Sequence, residues 1–156
     1  IVKSMARLGL TFRVANTYDQ VSYLGRGENE TYIDRNQSGK IGVYQTTPER
    51  MFHYYVAPQS TGNRTDVRWV KLADTSGEGI FVESDRAFQF SIIPFSDVLL
   101  EKAHHINELE RDGMITIHLD AEQAGVGTAT CGPGVLPQYL VPVKKQSFEF
   151  TLYPVK

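Results

Sequence analysis

Three charged side chains at a spacing of two residues form the clearest chemical pattern in the sequence. Arg64, Asp66 and Arg68 would share one face of a strand, because successive strand side chains point to opposite faces. An acid between two bases predicts a partly desolvated ion-pair ladder. The same residues, with the adjacent Asn63, could instead line a polar pocket for a hydroxyl-rich ligand. We favour structural pairing, since ion-pair networks commonly have that role.

A second cluster of mixed charge lies earlier in the chain. Its charged and aromatic members are Arg26, Glu30, Tyr32, Asp34 and Arg35. Such a run is usually a solvent-exposed loop. Mixed charges beside aromatic rings also suit a buried loop that locks two sheets or two domains together.

The sequence lacks the signatures of several common sites. Residues 25–27 and 125–127 begin like dinucleotide fingerprints, but the third glycine is missing from both, which favours tight turns. Cys131 lies beside glycine and proline with no helix to activate it, so a packed or loop thiol is expected. His104 and His105 are adjacent and would point about 100° apart on a helix. We therefore predict no metal site and no cofactor here.

Paired carboxylates, which a glycosidase holds about 5–9 Å apart, are not evident from spacing. The sequence has 18 acidic residues, so some pair can always be proposed, and none is distinguished by its position. The residues alone therefore predict an antiparallel β domain that carries a polar cluster.

Composition places the chain among single globular domains. It has 156 residues, 41% of them hydrophobic and 22% charged, with a net charge of −2. This balance predicts neither a nucleic-acid nor a membrane partner. One cysteine excludes an internal disulfide and leaves the compartment, cytoplasm or periplasm, open. Because the sequence begins at Ile1 with no initiator methionine, we expect a fragment of a longer chain.

Alternation of apolar and polar residues predicts an all-β, antiparallel fold in which these clusters lie on strands and connections. The predicted strands cover residues 8–14, 21–24, 41–45, 51–56, 64–72, 80–83, 88–92, 115–119 and 148–152. One short helix is expected over residues 97–104, capped by Ser96. Its predicted inward positions are Val98, Leu99 and Ala103.

Four collinear motifs resemble the last domain of the large β-galactosidases of glycoside hydrolase family 2. Residues 23–35 resemble the stretch G-R-G-P-x-E-x-Y-x-D-R, and residues 58–69 resemble P-Q-E-N-G-N-R-T-D-V-R-W. Residues 90–105 and 125–133 resemble two later segments of that domain. The resemblance implies an antiparallel supersandwich like that of galactose mutarotases. It also implies that residues 1–156 form one domain, the later part of the family's C-terminal domain.

In this family the catalytic glutamates lie on a separate TIM barrel, so the resemblance implies no catalytic residue in this chain. Mg²⁺ and Na⁺ are likewise expected elsewhere in the parent enzyme. The implied partners are a β-galactoside or galactose bound by the parent enzyme, the TIM-barrel domain, and further copies in a homo-oligomer.

The family's domain supplies part of the sugar-pocket rim from the loop after G-x-G. Here the corresponding candidates are Thr128, Ala129, Thr130, Cys131, Gly132 and Pro133. The loop has no tryptophan for sugar stacking, and the only tryptophan of the chain is Trp69. The charged clusters would brace the barrel. A carbohydrate-binding module and a mutarotase-like epimerase using a histidine acid are the alternatives.

Overall fold

The computed structural model describes residues 3–128 and 132–156, and most of the regular secondary structure within these ranges is strand. The strands are β1 Ser4–Met5, β2 Arg7–Ala15, β3 Gln20–Arg26, β4 Ile41–Thr46, β5 Arg64–Ala73, β6 Gly79–Ile93, β7 Met114–Gln123, β8 Val141–Pro142 and β9 Thr151–Val155. The helices are α1 Pro48–Met51 and α2 Asp97–Lys102, with 3₁₀ turns at Ile106–Glu108 and Pro137–Tyr139. The predicted all-β, antiparallel fold is confirmed.

A single antiparallel sheet holds most of the strands, in the order β2-β7-β6-β5-β3-β4. The long strand β6 pairs with β9 along its first half and with β7 along its second. It therefore contains both segments that the sequence predicts as separate strands, 80–83 and 88–92. The mutarotase-like supersandwich stays a prediction. No helix of the described residues is long and apolar enough to span a bilayer.

The apolar face of the sheet forms the main core, with Tyr23, Phe90 and Leu119 among its fully buried members. A second cluster covers the other face of β6 and β7, where Leu100 of α2 packs with Phe95. The polar side chains where β6 and β7 pair are therefore also buried, and this part of the sheet is covered on both faces. They are Gln89, Ser91, Thr116, His118 and Asp120.

Two predicted elements differ from the structure. Residues 51–56 do not form a strand, because the Thr47 side chain caps α1 and Pro48 opens it. The last predicted strand, 148–152, begins only at Thr151.

The helix near residues 97–104 is confirmed, and Ser96 caps it by accepting a hydrogen bond from Leu99 N at 3.2 Å. Its predicted inward face is wrong at Val98, which is 59% exposed, because the short helix turns Leu100 to the core instead.

A bulge in β5 overturns the predicted ion-pair ladder. Asp66 adopts a φ of 55°, and the pairing with β6 shifts register on both sides of Val67. The alternation of faces is therefore interrupted after Arg64. As a result Arg64 is buried, Arg68 is exposed, and Asp66 turns toward β3 instead of bridging the two arginines.

Replacing Asp66 tests the strain at the bulge. We expect Asp66→Val to unfold more readily than Asp66→Asn by about 1–3 kcal/mol, because a β-branched residue disfavours positive φ whereas asparagine tolerates it. Both variants are made in an Arg26→Ala background, because the asparagine amide oxygen could still accept a hydrogen bond from Arg26 Nε and valine could not. In that background the difference between the two variants isolates the backbone. Chemical denaturation of the two proteins measures it, and equal stabilities would contradict the strained bulge.

Candidate functional site

Glu30 is the centre of the first polar cluster. Its carboxylate accepts hydrogen bonds from Tyr55 Oη at 2.6 Å, Gly62 N at 2.9 Å and Tyr32 Oη at 3.3 Å. It also pairs with Arg35 Nη2 at 2.6 Å, and its side chain is only 14% exposed. One carboxylate thus ties the loop before β4 to the segment that leads into β5.

Two opposing effects set the pKa of Glu30. Burial raises it, but the hydrogen bonds from Tyr55 and Gly62 and the pair with Arg35 outweigh burial. The net pKa lies below the ordinary glutamate value. Glu30 is therefore a charged anchor at neutral pH and is unsuited to act as a general acid there.

Arg64 is buried, with 2% of its surface exposed, and four acceptors surround its guanidinium. They are Tyr23 Oη at 3.0 Å, Glu28 O at 2.9 Å, Gly62 O at 2.9 Å and Asn63 O at 3.3 Å. None of these four is a carboxylate. Carbonyl dipoles and a phenol satisfy the charge, so Arg64 supports the loop backbone.

Asn63 and Thr31 join the same loops. Asn63 Nδ2 donates to Thr31 O at 2.9 Å, and Thr65 N donates to Thr31 Oγ1 at 3.0 Å. Thr31, Asn63 and Thr65 are all buried. The mixed-charge run is therefore a packed loop, as the second of our two interpretations predicts, and its outer members remain exposed.

The remaining charged candidates lie around this centre. Arg26 Nε pairs with Asp66 Oδ2 at 2.6 Å, and Arg35 lies over the ring of Tyr32 at 5.3 Å. Arg68 is exposed and joins neither pair. The structure thus brings seven of the nine polar-network candidates into linked groups. Asp34 bonds instead to the turn at Val126 and Gly127, and Arg68 lies apart.

Asp34 fixes the start of the candidate rim loop. Its carboxylate accepts from Val126 N at 3.1 Å and Gly127 N at 2.8 Å. A side chain on Gly125 would overlap this carboxylate, and Gly127 has a φ of 59°. Both glycines are therefore required for the close approach.

The rim loop closes on itself at its neck. Thr128 N and Thr128 Oγ1 both donate to Pro133 O, at 3.1 and 3.2 Å. A side chain on Gly132 would come within 2.6 Å of Thr128 Oγ1. Thr128, Gly132 and Pro133 are exposed. The other three rim candidates, Ala129, Thr130 and Cys131, lie outside the described residues.

An open polar cavity of about 440 Å³ borders Glu30. Arg35, Arg50, His53 and Tyr55 contribute to its wall, and the rings of His53 and Tyr55 lie 4.3 Å apart. It presents guanidinium, imidazole and phenol groups at the surface, which suits a polar contact with another polypeptide segment.

The structure contains a buried histidine that lies between a serine and an aspartate, here called the histidine relay, which the sequence analysis does not predict. His118 Nδ1 lies 3.0 Å from Ser91 Oγ, and Nε2 lies 2.9 Å from Asp97 Oδ2. Ser91 and His118 are each 1% exposed, so no substrate can reach the hydroxyl. The relay therefore ties α2 to the sheet. Only the alternating pattern of β6 and β7, which places both residues on one face, could have indicated it.

Within residues 3–128 and 132–156, no three histidine, cysteine, aspartate or glutamate side chains are grouped as metal ligands would be. The polar clusters can fix loops and present charged edges to a neighbour.

The Glu30 anchor predicts a pH-dependent loss of stability. We expect Glu30→Gln to lower the free energy of unfolding by about 1–3 kcal/mol at neutral pH, since charged hydrogen bonds are lost inside the loop. Because the folded-state pKa of Glu30 is lowered, its stabilisation is present above the ordinary value of about 4.3 and is lost as pH falls through the folded value.

Denaturation from neutral pH to pH about 3 should therefore show the wild type and Glu30→Gln converging. Glu28→Gln is the matched control, because the Glu28 side chain is exposed and only its carbonyl contacts Arg64. A constant gap between wild type and Glu30→Gln across this range would contradict the anchor.

Comparison with known proteins assigns this sequence to a family. A family model described as the β-galactosidase small chain matches residues 2–152. A β-galactosidase of Actinobacillus pleuropneumoniae is 29% identical over 148 residues, which is 95% of this chain and 14% of that protein. β-Galactosidase BgaC of Bifidobacterium adolescentis is 37% identical over 122 residues, covering 76% of this chain and 12% of that protein.

A β-galactosidase of Kluyveromyces lactis is 31% identical over 147 residues, which is 94% of this chain and 14% of that protein. The chain therefore spans about one seventh of the length of the relatives that it matches. The family match covers both charged clusters and the G-x-G loop that Asp34 holds. The chain thus belongs to the β-galactosidase small chain family.

Proposed function

We propose that this chain is a non-catalytic domain of a β-galactosidase, which as a whole hydrolyses terminal β-D-galactose residues. In this proposal the domain braces the catalytic TIM barrel and completes the rim of the sugar pocket. The proposal draws on the family and on the small share of each relative that the chain covers. The Mg²⁺ and Na⁺ of such an enzyme would bind outside this domain.

The observation that carries the proposal is the Asp34 clamp on the G-x-G turn. A loop that contributes to a binding site must be held in one position, because a misplaced contact gains little affinity. Asp34 binds two consecutive backbone N–H groups, and Thr128 closes the neck on Pro133. The described residues of the loop are exposed, as a rim requires.

Bracing is supported by the outer members of the charged clusters. Arg35 is 51% exposed although it pairs with buried Glu30, and Arg68 is exposed on β5. These guanidinium groups are held by folded elements and could pair with carboxylates of a neighbouring domain. Interfaces between domains of one chain are commonly polar in this way.

The edge strand β4 has exposed apolar residues that another part of the parent protein would cover in this proposal. Ile41 and Val43 are 53% and 65% exposed on this unpaired edge. Exposed apolar edges tend to be covered by other polypeptide. The homo-oligomer stays a prediction.

The epimerase alternative requires an accessible histidine near a carboxylate. One histidine meets this requirement, His53, which shares the open cavity with Glu30. Hydrogen bonds from Tyr55 and Gly62 and the pair with Arg35 already occupy that carboxylate. His118 has such a partner in Asp97 but is buried under α2. His104 and His105 are exposed beyond the end of α2, and no pair with a carboxylate joins either side chain within the described residues.

The first test is hydrolysis of an aryl β-galactoside by the purified chain. We expect no turnover, because the two carboxylates that the loops hold in place, Glu30 and Asp34, are occupied by hydrogen bonds within the fold. A full-length β-galactosidase assayed in parallel confirms that the conditions support catalysis. Clear hydrolysis by the chain, free of contaminating enzyme, would refute the non-catalytic role.

The second test concerns the clamp. We expect Asp34→Ala to speed hydrogen exchange at Val126 N and Gly127 N by at least about tenfold, because each loses its acceptor. Glu101→Ala is the control, since Glu101 is an exposed carboxylate on α2 and does not lie on the strand that leads into the loop. In a full-length enzyme that carries this region, Asp34→Ala should raise KM for the galactoside. Unchanged exchange would mean that Asp34 does not hold the loop.

A further inference from the structure

The open cavity that borders Glu30, here called the Glu30 cavity, carries more positive than negative charge. Among the described residues that line it, three are arginines, Arg35, Arg50 and Arg64, and the only carboxylate is that of Glu30. The chain as a whole has a net charge of −2, so the positive surplus is local to this cavity. A concave site with one sign of charge attracts ligands of the opposite sign.

The three arginines differ in how far the fold already satisfies their charge. Arg64 has four acceptors in the loop backbone and Tyr23, and Arg35 pairs with Glu30. The Arg50 side chain is exposed, and no hydrogen bond or ion pair joins its guanidinium to residues 3–128 or 132–156. Only its backbone N–H is engaged, with the side chain of Thr47 that caps α1.

Neither acid close to Arg50 is available to neutralise it. The carboxylate of Glu30 already accepts from Tyr55, Gly62 and Arg35. Glu49 adjoins Arg50 in the sequence, but its carboxylate pairs with Arg111 and accepts from Tyr54 Oη at 2.7 Å. The fold therefore leaves the charge of Arg50 for a carboxylate that comes from outside the described residues.

The aromatic wall of the Glu30 cavity is held in place by the fold. Tyr55 donates to Glu30 at 2.6 Å, and its ring packs edge to face against that of His53 at 4.3 Å. The backbone N–H of His53 in turn donates to Thr61 Oγ1 at 2.9 Å. A site whose walls are fixed before binding loses less conformational entropy when a ligand arrives.

The size and chemistry of the Glu30 cavity favour a polypeptide over an inorganic ion. Its volume of about 440 Å³ equals that of about fifteen water molecules at roughly 30 Å³ each, more than one small oxyanion fills. Guanidinium groups bind carboxylates through two parallel hydrogen bonds, and Arg35 and Arg50 each present an exposed guanidinium. Arginine and tyrosine are also enriched where proteins contact each other.

We propose that the Glu30 cavity docks an acidic segment of the parent protein, which places one carboxylate on Arg50 and a second on Arg35. The rings of His53 and Tyr55 contact the aliphatic parts of that segment. This inference rests on the proposed bracing role and deepens it, because it names the chemistry of the partner that the domain contacts.

Nuclear magnetic resonance titration of the chain with a capped tetraglutamate peptide tests the site, observed at the backbone amides of residues 50–55. We expect saturable shifts with a dissociation constant in about the millimolar range at low ionic strength. About 0.5 M salt should weaken binding at least about fivefold, because it screens exposed charges. Arg50→Gln should also raise the constant at least about fivefold, since it removes the unpaired guanidinium. Its melting temperature should be unchanged.

Arg86→Gln is the matched control, because it removes the same charge from an exposed position on β6 outside the cavity and should leave the dissociation constant unchanged. Capped tetraglutamine, which has no charge, should not bind. Equal affinity of wild type and Arg50→Gln, or equal binding of the two peptides, would overturn the proposal. Inorganic phosphate that binds as tightly as tetraglutamate would assign the cavity to small oxyanions and overturn the docking of a segment.

The docking site and the non-catalytic role can fail separately. A chain that binds no tetraglutamate and also shows no turnover would refute the docking site alone. A chain that binds the peptide at Arg50 and also hydrolyses the aryl galactoside would refute the non-catalytic role alone.

Discussion

The loops around the candidate site depend on one partly buried carboxylate, that of Glu30. Glu30 receives hydrogen bonds from Tyr32, Arg35, Tyr55 and the backbone of Gly62, residues that no regular strand brings together. Removing one member of such a group leaves its partners desolvated and unpaired, so the loss exceeds the net contribution of the bond. The residues bonded to Glu30 therefore behave as a unit, and this unit determines the positions of the charged side chains at its surface.

In the proposed role, this centre connects the fold of the domain to the loop that would form part of the sugar-pocket rim. The packed loop that contains Glu30 also contains Asp34, and Asp34 reaches across to the turn after β7. The hydrophobic core fixes the strands, the buried polar loop fixes Asp34, and Asp34 fixes the rim. Hydrogen bonds to backbone groups have defined directions, so they hold the surface loop in a fixed position relative to the core.

Sequence alone predicts those parts of the structure that neighbouring residues determine. Alternation locates β2, β3, β4, β5 and β7, and the Ser96 cap locates α2. The Thr47 cap that begins α1 is equally local, but the aromatic run after it suggests a strand. The contact of Glu30 with Tyr55 depends on the path of two loops, and the spacing of residues in the sequence does not predict that path. The pairing of Arg26 with Asp66 depends on a bulge that interrupts the alternation from which a ladder is predicted.

The Asp34 clamp has a consequence for how this loop can diverge. Asp34 contacts backbone N–H groups, which every residue except proline possesses, so the contact constrains Gly125 and Gly127 but not the side chains beyond them. Mutations further along the loop can therefore alter its surface chemistry while its attachment to the domain persists. Single substitutions in this loop can therefore be selected without any change in the residues that hold the loop in place.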